Sequence, residues 1–300
     1  MRLDDLIAQR PATLSFEFFP PKTESGWTQL RATVQELSRL GPDFFSVTYG
    51  AGGTSRDRTR AAVSEIESDT GVPSMAHLTC VGHSRDEIRA LLNEYAEHGI
   101  CNLLALRGDP PKGQDHFEPV ADGCRYASEL IELIGTDGRF AATCAAFPEG
   151  HPEASARQTD WQHLIGKFEA GACLALTQCF FSAAPYFEMM TWLEQAMGSR
   201  PRIVPGIMPA RSWAWAEDFV QRFCPNTQLP EAMRAVLEPL GDDDASSEAG
   251  LAYTIDMCRE LLRGGAPGLH IYTLNKPDTA QRIVSALRAD GLLPEPVAQS

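Results

Sequence analysis

The chain has 300 residues, is 43% hydrophobic and carries a formal net charge of −14, from 40 acidic against 26 basic side chains. That length and apolar content suffice for a large core, in either two ordinary domains or one α/β barrel. The acidic balance argues against nucleic acid or an anionic membrane as the main partner and leaves small molecules or proteins.

The amino terminus, MRLDDLIAQRP, lacks the uninterrupted apolar stretch of a signal peptide, and no later segment reaches the length of a membrane span. The eight cysteines include no CxxC pair and no histidine at ligand spacing, and several lie in apolar, strand-like runs. They read as buried, reduced thiols in a cytoplasmic protein.

In chain order, short apolar, β-branched or aromatic runs at 14–19, 43–49, 73–79, 101–107, 139–145, 173–178, 202–207 and 268–273 alternate with amphipathic stretches. The predicted helices cover 27–40, 55–69, 84–98, 124–135, 157–170, 184–198, 212–223, 246–264 and 277–290. Ser84 before RDEIRALLNEY is a cap with acids in the first turn. Eight strand–helix repeats without a linker or internal repeat predict one domain over 1–300, a single (β/α)8 barrel. The long connection 224–250 interrupts the last repeat and predicts an extra short helix at 230–239, between strands 7 and 8. In a barrel it belongs to the catalytic end, as a substrate-contacting loop or as a solvated acidic one.

Polar residues recur where the strands end: Glu17, Thr48, Tyr49, His77, Thr79, Arg107-Gly108-Asp109, Glu149, His151, Gln178, Asn275 and Lys276. Glu17 stands in LSFEFFPP, so it is either a semi-buried acid with a raised pKa or an edge carboxylate facing water. Strand alternation puts Glu17 with Ser15 and Phe19 on one face and Phe16 and Phe18 on the other. His77 reads as a core histidine or as a ligand contact. Arg107 and Asp109 sit at ion-pair spacing around a glycine that lets a flat group approach. Gln178 either caps a strand or meets a ligand's polar edge.

Gly50-Ala-Gly52-Gly53-Thr-Ser55 follows a strand, but Ser replaces the third glycine and no acidic residue closes strand 3, which excludes a dinucleotide fingerprint. His77, Asp109 and His151 lack the pattern of a metal hydrolase.

The ordered segments SFEFFPPK, FFSVTYGAGGTSRDRT, AHLTC, NLLALRGDPP, AFPEGHPEA, LTQCFF, VPGIMP and YTLNKP together resemble methylenetetrahydrofolate reductases of the bacterial, catalytic-domain-only type. The resemblance implies a (β/α)8 barrel without a regulatory domain that carries FAD. It takes electrons from NADH or NADPH and, after the nicotinamide leaves, reduces 5,10-methylenetetrahydrofolate to 5-methyltetrahydrofolate, feeding methionine synthesis. It further implies a homo-oligomer.

Carried over from that resemblance, Glu17 matches the general acid and Asp109 the aspartate beside the flavin and the pterin. The flavin positions fall on Tyr49, Ala51, His77, Arg107, Gly108, Asp109, Tyr126, Ala127, Phe147, His151, Ala154, Asp160, His163 and Lys167. The substrate positions fall on Thr48, Gln178, Phe219 and Lys276; relatives often carry Arg in place of Lys276, which loses the bidentate fork. Phe147 stands where Tyr is common, Gly166 where a basic residue occurs, and Trp215 where a polar one does.

Overall fold

The computed structural model describes residues 1–10, 12–49, 56–110, 113 and 116–296. Its parallel strands form one sheet: β1 (Thr13–Phe18), β2 (Phe44–Val47), β3 (Ser74–Thr79), β4 (Asn102–Leu106), β5 (Ala141–Ala146), β6 (Leu174–Thr177), β7 (Ile203–Val204), β8 (Gly206–Ile207) and β9 (Gly268–Tyr272). The order β7-β6-β5-β4-β3-β2-β1-β9-β8 runs the chain around a (β/α)8 barrel, with helices covering its outside.

The one predicted strand at 202–207 is two dipeptides. Pro205 lacks an N–H and cannot extend a ladder. β7 pairs with β6 before it, and β8 pairs with β9 after it. The Pro205 carbonyl accepts from His270 N at 2.9 Å, so this bend joins the two edges and closes the barrel.

The helices are α1 (Leu3–Gln9), α2 (Glu24–Ser38), α3 (Arg56–Thr70), α4 (Arg85–Glu97), α5 (Ala127–Asp137), α6 (Arg157–Glu169), α7 (Ala183–Met197), α8 (Trp213–Phe223), α9 (Glu231–Leu237), α10 (Asp244–Arg263) and α11 (Asp278–Ala289). Ser84 caps α4 in a full capping box with Glu87. The extra segment between the last two strand positions holds α9, followed by a 3-10 turn, as the composition of 224–250 predicts.

Alternation along each strand separates two cores. Phe16, Phe18, Phe45, Val47, Ala76 and Leu78 face the helices, whereas Phe44, Met75, Leu104, Ala141, Leu174 and Val204 fill the amino-terminal end of the barrel interior.

Helix α1, absent from the predicted elements, plugs that end. Leu3, Leu6 and Ile7 join the interior cluster. Asn102 ties the plug down, accepting from Leu3 N at 2.7 Å and donating to the Met1 carbonyl at 3.0 Å. Arg202 donates to the carbonyls of Ile7 and Arg10. Seven residues are too short for a helical period to stand out; its stability comes from the barrel floor. Leu3→Ala is expected to cost about 3 kcal/mol, the usual loss for a fully buried leucine, read as a shift in the urea midpoint. An unchanged midpoint would mean that the plug contributes little to folding.

Candidate active site

With the amino-terminal end plugged by leucines, the polar groups gather at the carboxyl ends of the strands. Parallel register sets Glu17 beside Ser46 of β2 on one side and Tyr272 of β9 on the other, and Ser15 beside His270. Glu17 is therefore an interior residue, 7% exposed, and its two neighbours Phe16 and Phe18 point away into the helix layer. Of the two readings of LSFEFFPP, the semi-buried acid holds and the edge carboxylate facing water does not, and the phenylalanines do not line its carboxyl.

Polar groups surround it instead. Glu17 Oε2 lies 3.3 Å from His270 Nε2, 3.4 Å from His77 Nε2 and 3.4 Å from Ser46 Oγ, which donates to it. Burial pushes the Glu17 carboxyl up. The His270 hydrogen bond, attraction to His77 and His270, and the Ser46 hydroxyl together outweigh burial and leave it below the usual carboxylate value. The direction is opposite to the raised pKa that went with the semi-buried reading.

His77, equally enclosed, is held down to about 4, first by burial and then by its balance between Glu17 and His270. A neutral buried histidine costs stability when the medium turns acid, because only the unfolded chain takes up the proton. Stability is expected to be full above the ordinary value of 6.5 and to fall as pH drops toward 4, by about 3 kcal/mol for His77 alone. Glu17, with its lowered value, adds to the loss below 4.5. Urea midpoints from pH 7.5 to 4 check this; His77→Asn flattening none of the slope would refute it.

Two atoms on β3 are buried and make no hydrogen bond: His77 Nε2, whose approach to Glu17 does not meet hydrogen-bond geometry, and Thr79 Oγ1. Beside them Gly108 has φ +87°, and a Cβ there would come within 3.0 Å of Thr79 Cβ and 3.2 Å of Val81. Unpaired buried donors or acceptors are costly, so this wall suits a ligand with its own polar edge.

A second group forms where β4, β5 and α6 meet. Phe147 packs edge-on against His151 with ring centres 5.0 Å apart, and Lys167 Nζ lies 5.9 Å from the Phe147 ring centre. The Lys167 ammonium donates to the Ala145 carbonyl at 2.9 Å. Asp160 is buried, which pushes its carboxyl up despite Lys167 and His151. Burial, then Arg107, lowers His151. Arg107 pairs with Glu153 through two bonds of 2.5 and 2.7 Å, rather than with Asp109 as its spacing had suggested. The Glu153 backbone N–H donates in turn to His151 Nδ1.

Asp109 itself is exposed on the loop after β4, as is His163 on α6. Tyr126 is 57% exposed as the cap residue of α5, with Ala127 buried behind it. Ala154 N donates to the His151 carbonyl, keeping that loop compact. Ala51 lies outside the described residues.

On the remaining rim, Thr48 N donates to the Phe18 carbonyl, and the Tyr49 hydroxyl lies 3.3 Å from His83 Nε2. Gln178 N donates to the Ala146 carbonyl, and its side-chain oxygen accepts from Cys179 N. Phe219 stacks on Trp215 with centroids 5.0 Å apart and contacts Phe223, making an aromatic row on α8. The Cys179 and Cys224 sulfurs approach to 3.5 Å and hold the end of α8 against the segment after β6. All eight cysteines are free thiols. Glu149 accepts from Gln228 N, joining the same loops. Lys276 is exposed at the turn after β9.

Ser46, His270 and Tyr272 were not among the residues singled out from sequence, and Ser15 was placed only on the face of Glu17. They follow the same period-two rule as Glu17: reading each strand from its inward residue would have collected them.

Among the described residues no group of three or more His, Cys, Asp or Glu could hold a metal ion, and no helix is long and apolar enough to cross a membrane.

A family model described as methylenetetrahydrofolate reductase matches residues 2–288. The 5,10-methylenetetrahydrofolate reductases of Salmonella typhimurium and Escherichia coli are each 37% identical over 281 residues, covering 93% of this chain and 92% of theirs. Methylenetetrahydrofolate reductase (NADH) 1 of Arabidopsis thaliana is 35% identical over 98% of this chain, which spans about half (51%) of the plant protein. Among solved structures, an uncharacterised Clostridium thermocellum protein described as binding two copies of 5-methyl-5,6,7,8-tetrahydrofolic acid superposes with a TM-score of 0.65, over 98% of this chain and 100% of that one. Its identity is 14%, a likeness of fold.

Proposed function

The chain belongs to the methylenetetrahydrofolate reductase family, and from that premise we propose that it reduces 5,10-methylenetetrahydrofolate to 5-methyltetrahydrofolate. In this reading NADH or NADPH is the donor, FAD is the resident carrier, and nicotinamide and folate use one pocket in turn. The observation that carries it is Glu17, a carboxyl buried between two histidines at the ligand-binding end of the barrel.

The reaction moves one hydride and one proton to the folate. FAD, when bound, would supply the hydride relay between nicotinamide and folate. His77 Nε2 and Thr79 Oγ1 offer polar contacts to such a ring, and Gly108 leaves room for its approach. Lys167 and Arg107 would face its diphosphate; Arg107 would have to share itself between Glu153 and the phosphates.

The protein's own chemistry is the proton. Glu17, protonated, gives it to N10, so that the five-membered ring opens to a cationic N5 iminium that accepts hydride. Asp109, a carboxylate at the mouth, stabilises that cation. Phe219 offers a ring for stacking, Gln178 an amide for the pterin edge, and Lys276 a cation for the folate's glutamate carboxylate. The same reading expects a homo-oligomer in a reducing cytoplasm, in a step that supplies methyl groups for methionine.

Absorbance of the purified protein tests the reading: a flavin spectrum that NADH or NADPH bleaches and methylenetetrahydrofolate restores. Failure to take up FAD, or no nicotinamide oxidation with the folate present, would overturn it. Asp109→Asn is expected to slow folate reduction about 10–100-fold through the lost charge, measured by single-turnover reoxidation. An unchanged rate would remove Asp109 from the mechanism.

A further inference from the structure

The aromatic row on α8 ends in a cation. Arg211, just ahead of the cap residue Ser212, continues the four-residue spacing of Trp215, Phe219 and Phe223, so all four share one helix face. Phe223 packs on Phe219 with centroids 5.2 Å apart, and Phe219 stacks on Trp215 at 5.0 Å. The Arg211 guanidinium lies over the other side of the pile, its Cζ 5.5 Å from the Trp215 ring centre.

Both ends of the row are fixed to the rim of the mouth. Ser212 Oγ accepts from Trp215 N at 3.2 Å, and Ala210 N donates to Thr254 Oγ1 at 3.0 Å. Beyond the far end, Thr227 Oγ1 donates to the Cys179 carbonyl and Asn226 Nδ2 to that of Gly150. Trp215 and Phe219 are half-buried in a cluster with Tyr272 and Leu274, at the end of β9.

Arg211 has no other partner. Arg222 on the same helix pairs with Asp218, and Asp242 takes the Ser212 hydroxyl. The Arg211 guanidinium itself makes no ion pair or hydrogen bond among the described residues. A guanidinium held over an aromatic ring keeps its N–H fork free and loses less freedom when an anion arrives. It is a prepared seat for a carboxylate.

Strand register puts that seat beside the proposed site for the folate tail. Ile207 of β8 pairs with Ile271 of β9; Arg211 follows the first by four residues, and Lys276 follows the second by five. The two cations therefore stand over neighbouring strand ends. The folate's glutamate has two carboxylates, and one ammonium meets one of them. We propose that Arg211, seated on Trp215, binds the second carboxylate of the folate's glutamate and supplies the bidentate fork that Lys276 lacks. This deepens the reading of the chain as a folate reductase and rests on it. Trp215 is a positioning residue that acts through Arg211. Nicotinamide dinucleotides carry no carboxylate, so the pair serves only the folate half. Asp242, drawn in by Ser212, leaves a negative charge close by, which weighs more against a doubly charged phosphate than against a carboxylate.

Calorimetry on the protein as purified is the first test. The wild type should bind 5-methyltetrahydrofolate about 100-fold more tightly than the same compound without its glutamate, and Arg211→Gln should shrink that ratio about 10-fold. Arg211→Lys, which keeps the charge without the fork, should recover only part of it. Equal binding of both compounds by the wild type, or an unchanged ratio in Arg211→Gln, overturns the proposal. In turnover, Arg211→Gln and Trp215→Leu should each raise the KM for methylenetetrahydrofolate about 10-fold, with kcat and the KM for NADH moving far less. Trp215→Phe, which keeps a ring beneath the guanidinium, should restore most of the loss. Equal losses for folate and NADH, or no rescue by Trp215→Phe, make the row merely structural and overturn the proposal. A loss that falls on NADPH and spares NADH and folate assigns Arg211 to the 2′-phosphate and overturns it too. A wild type that turns over no folate overturns the functional reading instead, and the calorimetric ratio still judges Arg211; binding of neither compound overturns both.

Discussion

On the proposed function, Glu17→Gln is expected to lower the rate of folate reduction about 10³-fold while the reduction of flavin by nicotinamide falls far less, because in that scheme only the folate half needs a proton donor. The amide keeps the shape of the side chain in its enclosure between β2, β3 and β9, so the loss is chemical. The wild-type step should slow as pH rises and Glu17 ionises; the variant's should not. In the ligand-free chain the two histidines and Ser46 hold the carboxyl below its ordinary value. A general acid for neutral pH must therefore gain its proton affinity on binding, when folate covers the remaining 7% of its surface and adds to the desolvation that favours the neutral acid. Infrared difference spectra should show a protonated carboxyl band appearing with folate in the wild type and missing in Glu17→Gln. A variant with wild-type folate reduction, or no such band, would exclude Glu17 as the acid.

Gly268→Ala is expected to cost about 4 kcal/mol or more and to leave little folded protein at 37 °C. Gly268 opens β9 with φ +126°, opposite Thr13. A Cβ there would stand 1.9 Å from the Thr13 carbonyl oxygen and 2.5 Å from Thr13 N. Those are backbone atoms, so β9 itself would have to retreat from β1. The ladder it would disturb aligns Ser15 with His270 and Glu17 with Tyr272, so surviving protein should also lose folate reduction. Gly198→Ala provides the contrast: Gly198 ends α7 at φ +70° with no atom within 4 Å of an added Cβ, which leaves only the left-handed backbone penalty, about 1 kcal/mol. Urea midpoints of the two variants measure the difference; equal shifts would refute the close-packing account.

The barrel was legible because its strands are short, apolar and regularly spaced, and alternation along LSFEFFPP places Glu17 opposite Phe16 and Phe18 without any coordinates. The rim residues could be collected in the same way, since each follows a strand. Three features were not legible, each for a physical reason. Helix α1 has too few residues to show a period and is stabilised only by the floor it plugs. Arg107 has Asp109 at ion-pair spacing, yet it takes Glu153, which the loop after β5 brings across. The direction of the Glu17 shift depends on a contest between burial and groups on β2, β3 and β9.

Local sequence determines which way a side chain faces, because the strand period is a property of the backbone. It also determined the family, through the order of many short segments along the chain. Which groups meet inside the barrel is decided only when strands distant in sequence close on each other. Glu17, an isolated carboxylate in the sequence, becomes one member of a Ser15–His270–Glu17 line because β9 pairs with β1, and that pairing is a property of the closed sheet alone.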